Sequence, residues 1–408
     1  MHILFLTDNF PPETNAPASR TYEHAKRWAM SGHRVTVVTG APNFPSGKIH
    51  AGYRNALWNR ESVDGIDVIR VWTYITANEG FIKRTLDYLS FMVAATLASL
   101  FVKRPNVVVG TSPQFFTVCA AWVVSLLHWR PFVFELRDLW PDSIVAVGAM
   151  RETRAIRLLR RLEYFLYRRA ARIVSVTNSF KEVLTTNGIA PEKIVVVPNG
   201  VELDMYLPGE RPAELADRLG LSGKFIAAYV GTIGMAHGLG TVLEAATQLK
   251  ARTDIVFLLV GTGAEQTTLA RRCKEEGLDN VLFVGAVSKV EVREYWKLCD
   301  VALVLLRDTP LFSHVIPSKM FEAMGTARPI ILGVRGESKS ILERAGAGIA
   351  IAPENALELA AAIRRLADET SLAAGMGASG RAFVEQNFDR DRLAAQMLAA
   401  LMNAAATT

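Results

Sequence analysis

Residues 225–260 read FIAAYVGTIGMAHGLGTVLEAATQLKARTDIVFLLV. A short apolar run at 225–230 is followed by apolar residues at helical spacing over 240–250 and by a second apolar run at 255–260. A strand, a helix and a strand in this order predict two parallel strands joined by a right-handed crossover. This unit is the repeating element of a doubly wound α/β sheet.

The same alternation extends in both directions from this unit. Further strands are predicted near 281–284, 301–305, 329–332 and 349–351, and in the first half of the chain at 2–7, 34–39, 68–72, 107–110, 132–136, 172–176 and 194–197. The two series are separated by a turn signal, Pro198-Asn199-Gly200, and by Leu207–Gly223, which is rich in Pro, Gly and charge like a linker. The sequence therefore predicts an α/β fold of two Rossmann-like doubly wound domains that face an interdomain cleft. We assign residues 1–200 to the first domain, 201–385 to the second, and 386–408 to a C-terminal helix that packs back toward the first.

The composition indicates the class of protein and the compartment in which we expect it. Half of the 408 residues are apolar and 21% are charged, as in globular α/β proteins, and three widely spaced cysteines suggest neither a disulfide framework nor a zinc site. The amino terminus lacks the features of a signal peptide, so we expect a cytoplasmic protein. The longest uncharged apolar stretch, Leu89–Val102, is shorter than a bilayer span. It is either a buried helix or a helix at the membrane interface.

Basic residues are concentrated in the first half. Residues 1–200 contain 24 Lys and Arg against 15 Asp and Glu, and many of them lie in Arg151–Arg172. That stretch has an apolar stripe at Ile156, Leu159, Leu162, Phe165 and Leu166 with arginines around it. It is either a solvated helix face or a surface that attracts anionic lipid headgroups or lipid-linked phosphate. Nucleic acid is a weaker alternative, since no recognisable nucleic-acid module accompanies the charge.

Two loops after strands have candidate ligand contacts. The first strand is followed by a proline-rich loop that includes Asn15, Ala16 and Pro17, which either is structural or faces a sugar or an acceptor. Gly261-Thr262-Gly263 follows another strand, but the third glycine of a dinucleotide fingerprint is missing, which argues against NAD.

Residues 317–331 read PSKMFEAMGTARPII and predict a helix that starts at Pro317 and Ser318. A helix start offers free N–H groups to a diphosphate, and Lys319 is an unusual cation in a first turn unless an anion is bound there. Glu322 lies three residues on, on the same face, where a carboxylate can accept hydrogen bonds from a ribose. The alternative is that Glu322 only forms a capping box with the amides near Ser318.

These motifs together resemble the GT4 family of retaining glycosyltransferases with the GT-B fold, and are similar to WbuB-type bacterial surface-polysaccharide transferases. The resemblance runs nearly end to end. It is carried by ILFLTDNFPPE at the start, FELRDLWPDSI at 134–144, VPNGVELDMY at 197–206, YVGTIGMAHGL at 229–239, LLVGTGAE at 258–265, VLFVGAVSKVEV at 281–292 and IPSKMFEAMGTARPII at 316–331.

The resemblance implies that the second domain binds the donor nucleotide and the first mainly the acceptor. Glu322 matches the glutamate that holds the ribose, and Lys319 with Ser318 matches the diphosphate site. The other donor-binding candidates are the turn residues Gly231, Thr232 and His237, together with Gly261, Val287 and His314. Thr232 and His237 replace an arginine and a lysine of many relatives, and His314 replaces the first of two glutamates. At the first domain, Arg137 stands where relatives often have a histidine, and Asp138 either acts beside the reacting centre or forms a salt bridge with Arg137.

The family's chemistry implies transfer without a metal or other cofactor. Lys319 and the turn at Gly231 and Thr232 then stabilise the departing diphosphate, while Asp138 positions the acceptor or stabilises the cationic sugar. The expected donor is a UDP-sugar, with an N-acetylated amino sugar preferred, and the expected acceptor is a lipid-linked sugar or oligosaccharide of an O-antigen or capsule. Peripheral contact with the inner face of the cytoplasmic membrane is an expected partner interaction. Two alternatives stay open: a nucleotide-sugar 2-epimerase and a non-catalytic glycan-assembly scaffold.

Overall fold

The computed structural model describes residues 1–13, 15–44, 46–76, 81–142 and 152–406. Ser143, Ile144 and Arg151, which belong to motifs discussed above, lie outside the described residues. The chain divides into two compact units: Met1–Asn199 with Arg390–Thr408, and Gly200–Asp389. The second unit thus extends to Asp389, beyond the limit of 385 expected from the sequence.

The first unit contains a sheet whose strand order is β3-β4-β2-β1-β5-β6-β7-β8. The strands are β1 His2–Leu6, β2 Arg34–Gly40, β3 Trp58–Val63, β4 Ile66–Val71, β5 Val107–Thr111, β6 Phe132–Leu136, β7 Arg172–Ser175 and β8 Ile194–Val196. β1, β5 and β6 are mostly apolar and are buried along their whole length, as in parallel sheets covered on both faces. The strand order reverses between β1 and β5, which is where an open α/β sheet usually binds its ligand.

The outermost strand, β3, is absent from the sequence-based expectation. It pairs antiparallel with β4 and is mostly exposed, so it lacks the apolar pattern that revealed the other strands. Asp64 and Gly65 form the connecting turn with φ of 48° and 81°. An Asp-Gly pair with two positive φ values is a strong hairpin signal, so this dipeptide is the feature of the sequence that indicates the β3–β4 hairpin.

Helices flank this first sheet. They are α1 Ala16–Met30, α2 Phe81–Ser99, α3 Phe115–His128, α4 Arg154–Arg169 and α5 Asn178–Thr186. α2 and the residues that follow it contain the long apolar stretch of the sequence. One side of it is buried, through Phe91 and Ala95, while Val93 and Leu97 are exposed. Among the described residues, none of the helices has the length and apolarity needed to cross a bilayer.

The basic helix α4 differs in detail from the stripe predicted for it. Ile156 and Leu166 are buried as expected, but Leu162 is exposed and Glu163 is buried. Tyr167 Oη donates a 2.6 Å hydrogen bond to Glu163 Oε1, which gives the acid a polar partner inside the unit. A polar partner of this kind cannot be anticipated from the spacing of apolar residues.

The second unit contains a parallel sheet in the order β11-β10-β9-β12-β13-β14. Its strands are β9 Phe225–Val230, β10 Ile255–Val260, β11 Val281–Gly285, β12 Val301–Leu305, β13 Ile330–Gly333 and β14 Gly348–Ala350. Its helices are α6 Ala213–Arg218, α7 Gly240–Gln248, α8 Gln266–Glu276, α9 Lys289–Leu298, α10 Lys319–Gly325, α11 Glu337–Ala345, α12 Ala356–Asp368 and α13 Thr370–Asn387. The strand order reverses between β9 and β12, so the expected ligand position lies at their carboxyl ends.

The last helix, α14 Arg390–Ala406, belongs to the first unit. Leu393, Met397 and Leu401 are buried in the same apolar cluster as β1. Trp28 Nε1 on α1 donates a 2.9 Å hydrogen bond to the carbonyl oxygen of Ala394. The end of the chain therefore completes the core that the amino-terminal half begins.

Candidate functional site

Glycine turns meet at the carboxyl ends of β9 and β10. Gly231 and Gly261 have φ of 139° and 133°, which L side chains rarely adopt. A Cβ on Gly261 would lie 2.0 Å from the carbonyl oxygen of Gly231, and a Cβ on Gly231 would lie 2.9 Å from Lys319 Nζ. Glycine at both positions is therefore required by the close approach of the two turns and of the lysine.

Lys319 places its ammonium group against an aromatic ring. Its Nζ lies 3.6 Å from the centroid of the Tyr229 ring, a cation–π geometry. The same atom is buried and has no hydrogen-bond partner among the described residues. Burial lowers the pKa of Lys319 to about 7, although the nearby Glu322 carboxylate opposes the shift. The site thus holds a desolvated amine without an anionic hydrogen-bond partner in the described structure.

Tyr229 connects Lys319 to the predicted turn residues. Its Oη donates a 2.6 Å hydrogen bond to the carbonyl oxygen of Thr232, whose own side chain is exposed. On the ring's edge lies His237, at 5.6 Å between centroids. Burial, together with the Lys319 charge, lowers the pKa of His237 to about 3, so this imidazole is neutral at physiological pH. His237 therefore supplies no cation to the site.

Glu322 lies one turn after Lys319 on α10. Its Oε2 accepts a 3.1 Å hydrogen bond from Nε1 of Trp296, a fully buried side chain on α9. Ser318 makes no side-chain cap to the helix. α10 is short, with seven residues. The side chain of Lys319 and the two glycine turns are the features of this site that best suit an anion.

The other donor-binding candidates are more scattered. Val287 is half-buried after β11, just before Ser288, which caps α9 through a reciprocal capping box with Glu291. His314 ends a short 3-10 helix, Pro310–His314. Within the described residues, neither Val287 nor His314 has a hydrogen bond or ion pair with Lys319.

The corresponding edge of the first unit contains a second set of polar groups. Asp8 follows β1 and accepts a short hydrogen bond from Nε2 of Gln114, which follows β5, so the two residues connect across the strand reversal. Burial, reinforced by Asp87, raises the pKa of Asp8 well above its ordinary value. Ser112 Oγ accepts hydrogen bonds from the backbone N–H groups of Arg137 at 2.8 Å and of Asp138 at 3.3 Å. The residues after β1, β5 and β6 thus form one polar surface.

Arg137 and Asp138 follow β6 and are both half-buried. Nε and Nη1 of Arg137 are buried and have no hydrogen-bond partner in the described structure. Neither of these two atoms makes a hydrogen bond to Asp138, and the two alternatives for Asp138 stay predictions. Burial lowers the pKa of Arg137 to about 10, and the guanidinium remains charged at physiological pH.

The proposed acceptor loop is in fact a helix start. Asn15 caps α1 by accepting a 2.9 Å hydrogen bond from the Ala18 N–H group, and Ala16 and Pro17 lie in the first turn. Ala16 and Pro17, which were expected in the loop after β1, thus belong to α1, because an Asn cap followed by a proline in the first turn favours helix initiation. Their contact with an acceptor stays a prediction. Asn15 also donates a 2.8 Å hydrogen bond to Asn9.

Several site residues were missed by sequence reasoning, among them Tyr229, Trp296, Asp8 and Gln114. Tyr229 gave one usable signal, because it carries a hydroxyl in an otherwise apolar strand two residues before Gly231. Trp296 gave none, since an aromatic residue on a helix usually indicates core packing. Its role depends on how α9 packs beside α10.

Comparison with known protein families agrees with this architecture. Residues 15–200 match the glycosyl transferase 4-like domain, and residues 213–383 match glycosyl transferases group 1. The chain belongs to the GT4-like glycosyltransferases. The expected family is thereby confirmed.

Relatives of this glycosyltransferase include bacterial proteins that are named as glycosyltransferases. It is 24% identical to Escherichia coli (strain K12) WcaI, a protein assigned as a colanic acid biosynthesis glycosyl transferase, over 98% of this chain and 99% of the relative. It is also 24% identical to the Pseudomonas aeruginosa protein WbjE, assigned as a glycosyltransferase, over 74% of this chain and 75% of the relative.

Solved structures confirm the GT-B fold of this glycosyltransferase. Sucrose-phosphate synthase from Thermosynechococcus elongatus matches with a TM-score of 0.82 at 18% identity, over all of both chains. Anabaena HepE, solved in complex with UDP and glucose, matches with a TM-score of 0.74 at 18% identity, over 98% of this chain and 99% of that one. At this level of identity the likeness concerns the fold alone.

Proposed function

We propose that this glycosyltransferase transfers a sugar, with retention of anomeric configuration, from a UDP-sugar to a lipid-linked or oligosaccharide acceptor in bacterial surface polysaccharide biosynthesis. An N-acetylated amino sugar is the preferred donor sugar. Support for a nucleotide-sugar donor comes from the HepE structures, which contain UDP or UDP-glucose. Support for the pathway comes from relatives named for colanic acid and teichuronic acid biosynthesis.

The observation that carries the proposal is the buried, unpartnered Nζ of Lys319 beside the Gly231 turn. A buried cation without a hydrogen-bonding partner is unfavourable unless a ligand completes the site. A diphosphate would supply the missing oxygens, and the absent Cβ of Gly231 would let it approach the backbone. We assign this position to the diphosphate of the donor.

Glu322 is assigned to the ribose of the same nucleotide. Trp296 holds one of its carboxylate oxygens, which fixes the orientation of the group. A fixed carboxylate can accept hydrogen bonds from both ribose hydroxyls. Because Lys319 and Glu322 are three residues apart on one helix face, they can contact neighbouring parts of one ligand.

The chemistry proposed is leaving-group stabilisation. Cleavage of the anomeric C–O bond leaves negative charge on the diphosphate and positive charge on the sugar. Lys319 would stabilise the former, and one contact of this kind contributes about 2.7–4 kcal/mol. We expect this charge to be met by Lys319 rather than by a metal ion, while Asp138 positions the acceptor or stabilises the cationic sugar.

Peripheral membrane contact is proposed for one surface of the first unit. Phe101 and Trp129 are 82% and 80% exposed, in the segments that follow α2 and α3. These segments are joined, since Arg104 Nε donates a 3.2 Å hydrogen bond to the carbonyl oxygen of His128. Exposed aromatic residues beside basic side chains such as Lys103 suit the interface of an anionic bilayer. We call Phe101, Trp129, Lys103 and Arg104 the aromatic–basic patch.

The test of the proposed function is Lys319→Met, which keeps a side chain of similar length without charge. We expect turnover of a UDP-sugar with its acceptor to fall by about a hundredfold or more. The variant should retain the circular-dichroism spectrum of the native protein. Near-normal transfer by a folded Lys319→Met protein would refute the diphosphate assignment.

A further inference from the structure

A cluster of buried charges lies in the first unit between α1, β6 and the start of α14. Arg20 Nε donates a 2.8 Å hydrogen bond to Glu135 Oε1, and these side chains are 2% and 1% exposed. Arg390 Nη1 lies 2.7 Å from Glu23 Oε2. Two guanidinium groups are thus each matched by one carboxylate.

Arg137 is a third guanidinium in the same cluster. Its electrostatic neighbours are Glu135, Arg20, Arg390 and Glu23. Nevertheless, its Nε and Nη1 are buried and have no hydrogen-bond partner among the described residues. Removing such N–H groups from water without replacing their hydrogen bonds is unfavourable.

The charges of this cluster do not balance. His24 is buried beside it, and burial, together with the Arg20 charge, lowers the pKa of His24 well below its ordinary value, so this ring is neutral. Arg137 and its two guanidinium neighbours, Arg20 and Arg390, therefore face the two carboxylates of Glu135 and Glu23. Glu135 Oε2 also lacks a hydrogen-bond partner, and a bound water would satisfy it together with Arg137. Water cannot, however, neutralise the extra positive charge.

The position of Arg137 suits a ligand better than a purely structural role. Unlike Arg20 and Glu135, it is only half-buried, and it follows β6 at the edge where open α/β sheets bind ligands. The Ser112 hydroxyl fixes its backbone through the 2.8 Å hydrogen bond from its N–H group. The guanidinium is therefore held at this edge with two buried N–H donors, Nε and Nη1, that have no hydrogen-bond partner in the described structure.

We propose that Arg137 forms an oxyanion site that binds a carboxylate or phosphate group of the substrate of the first unit. The identification of that group as part of the acceptor rests on the proposed function. Arginine suits planar or tetrahedral oxyanions because its N–H groups form a rigid fork. An acceptor with a uronic acid and one with a lipid-linked phosphate both offer this chemistry.

The site is tested by calorimetric titration of the full chain with inorganic phosphate, glucuronate and glucose. The proteins are the native chain, Arg137→Met, Arg137→Lys as a variant that keeps the charge, and Lys319→Met. We expect phosphate, glucuronate or both to bind to the native chain and to Lys319→Met. The same anion should bind about tenfold or more weakly to Arg137→Met, and Arg137→Lys should recover part of the affinity. Glucose should not distinguish the proteins. The anion that binds more tightly shows whether the group bound by Arg137 is a phosphate or the carboxylate of a uronic acid.

Equal anion binding by the native chain and a folded Arg137→Met protein would overturn the proposal. Anion binding that is lost only in Lys319→Met would also overturn it, because the anion would then occupy the other unit. The absence of anion binding to the native chain would overturn it as well. If Arg137→Met does not fold, the comparison is made with Arg137→Lys, whose anion affinity should be lower than the native one. UDP affinity is measured in parallel, and its loss in Lys319→Met tests the donor site separately.

Discussion

Lys319 Nζ lies 3.6 Å from the centroid of the Tyr229 ring and has no hydrogen-bond partner in the described structure. A desolvated cation–π contact contributes about 2 kcal/mol. The effective cost of taking an ammonium ion out of water is several kcal/mol. The ring therefore offsets only part of the cost, which is why the pKa of Lys319 falls to about 7. The protonation of this lysine is consequently sensitive to any anion that binds beside it.

The first prediction concerns stability as a function of pH. An unfolded lysine titrates near pH 10.4, whereas Lys319 in the folded protein titrates near 7. Between these values the unfolded chain binds more protons, so this residue makes the free energy of unfolding rise as pH increases from about 7 to about 10. Urea denaturation across this range should show a smaller rise for Lys319→Met than for the native protein. Parallel curves for the two proteins would contradict the lowered pKa.

The second prediction is proton uptake on nucleotide binding. A diphosphate beside Lys319 favours the ammonium form, so binding should raise its pKa and take up a proton from buffer near neutral pH. UDP affinity should consequently decrease as pH rises above about 7. Calorimetry in buffers of different ionisation enthalpy measures the uptake directly. Lys319→Arg, whose side chain stays charged over this pH range, is the control and should bind UDP without taking up a proton.

The third prediction concerns Gly231. Alanine at this position would place a Cβ 2.9 Å from Lys319 Nζ, at a φ of 139°. The lysine must move, and a displacement of about 1 Å in a catalytic group can reduce turnover on the order of a hundredfold. Gly223→Ala is the matched control, because Gly223 has a φ of 73° but nothing within 4 Å of its added Cβ. Equal turnover in the two alanine variants would show that the contact with the lysine is unimportant.

The sequence revealed the strands better than the contacts between side chains. β9, β10 and β12 were predicted because they are apolar runs bounded by turns, and such runs depend only on local composition. Lys319 and Glu322 were recognised because their spacing on one helix is also local. Tyr229 and Trp296 were missed because their contacts join different elements and arise only after the sheet has formed.

The errors have similar physical causes. β3 is exposed on the sheet edge, so no apolar pattern marked it, and only the Asp64-Gly65 turn gave a signal. The start of α1 looks like a loop in the sequence because it is rich in proline, whereas in the structure Asn15 caps the helix. A proline in a first helical turn is compatible with a helix, since that N–H group needs no partner within it.

The fourth prediction separates the ribose and diphosphate assignments. Trp296→Phe removes the hydrogen bond to Glu322 Oε2, and a hydrogen bond to a charged group contributes about 1.5–3 kcal/mol. UDP should bind about tenfold or more weakly to this variant, whereas inorganic pyrophosphate, which lacks a ribose, should bind unchanged. Lys319→Met should weaken both ligands. A Trp296→Phe protein that loses pyrophosphate affinity as well would indicate a general disturbance of the site.

The last prediction tests the aromatic–basic patch. Replacing Phe101 and Trp129 by serine removes two side chains whose burial contributes about 1.5–3 kcal/mol each, so co-sedimentation with anionic vesicles should fall at least about tenfold. The native protein should also dissociate as salt rises, because Lys103 and Arg104 attract the surface electrostatically. Leu357→Ser is the matched control, since Leu357 is 72% exposed but lies in the second unit. If the double variant sediments like the native protein, then this patch does not face the bilayer, and the exposed arginines of α4 become the surface to test.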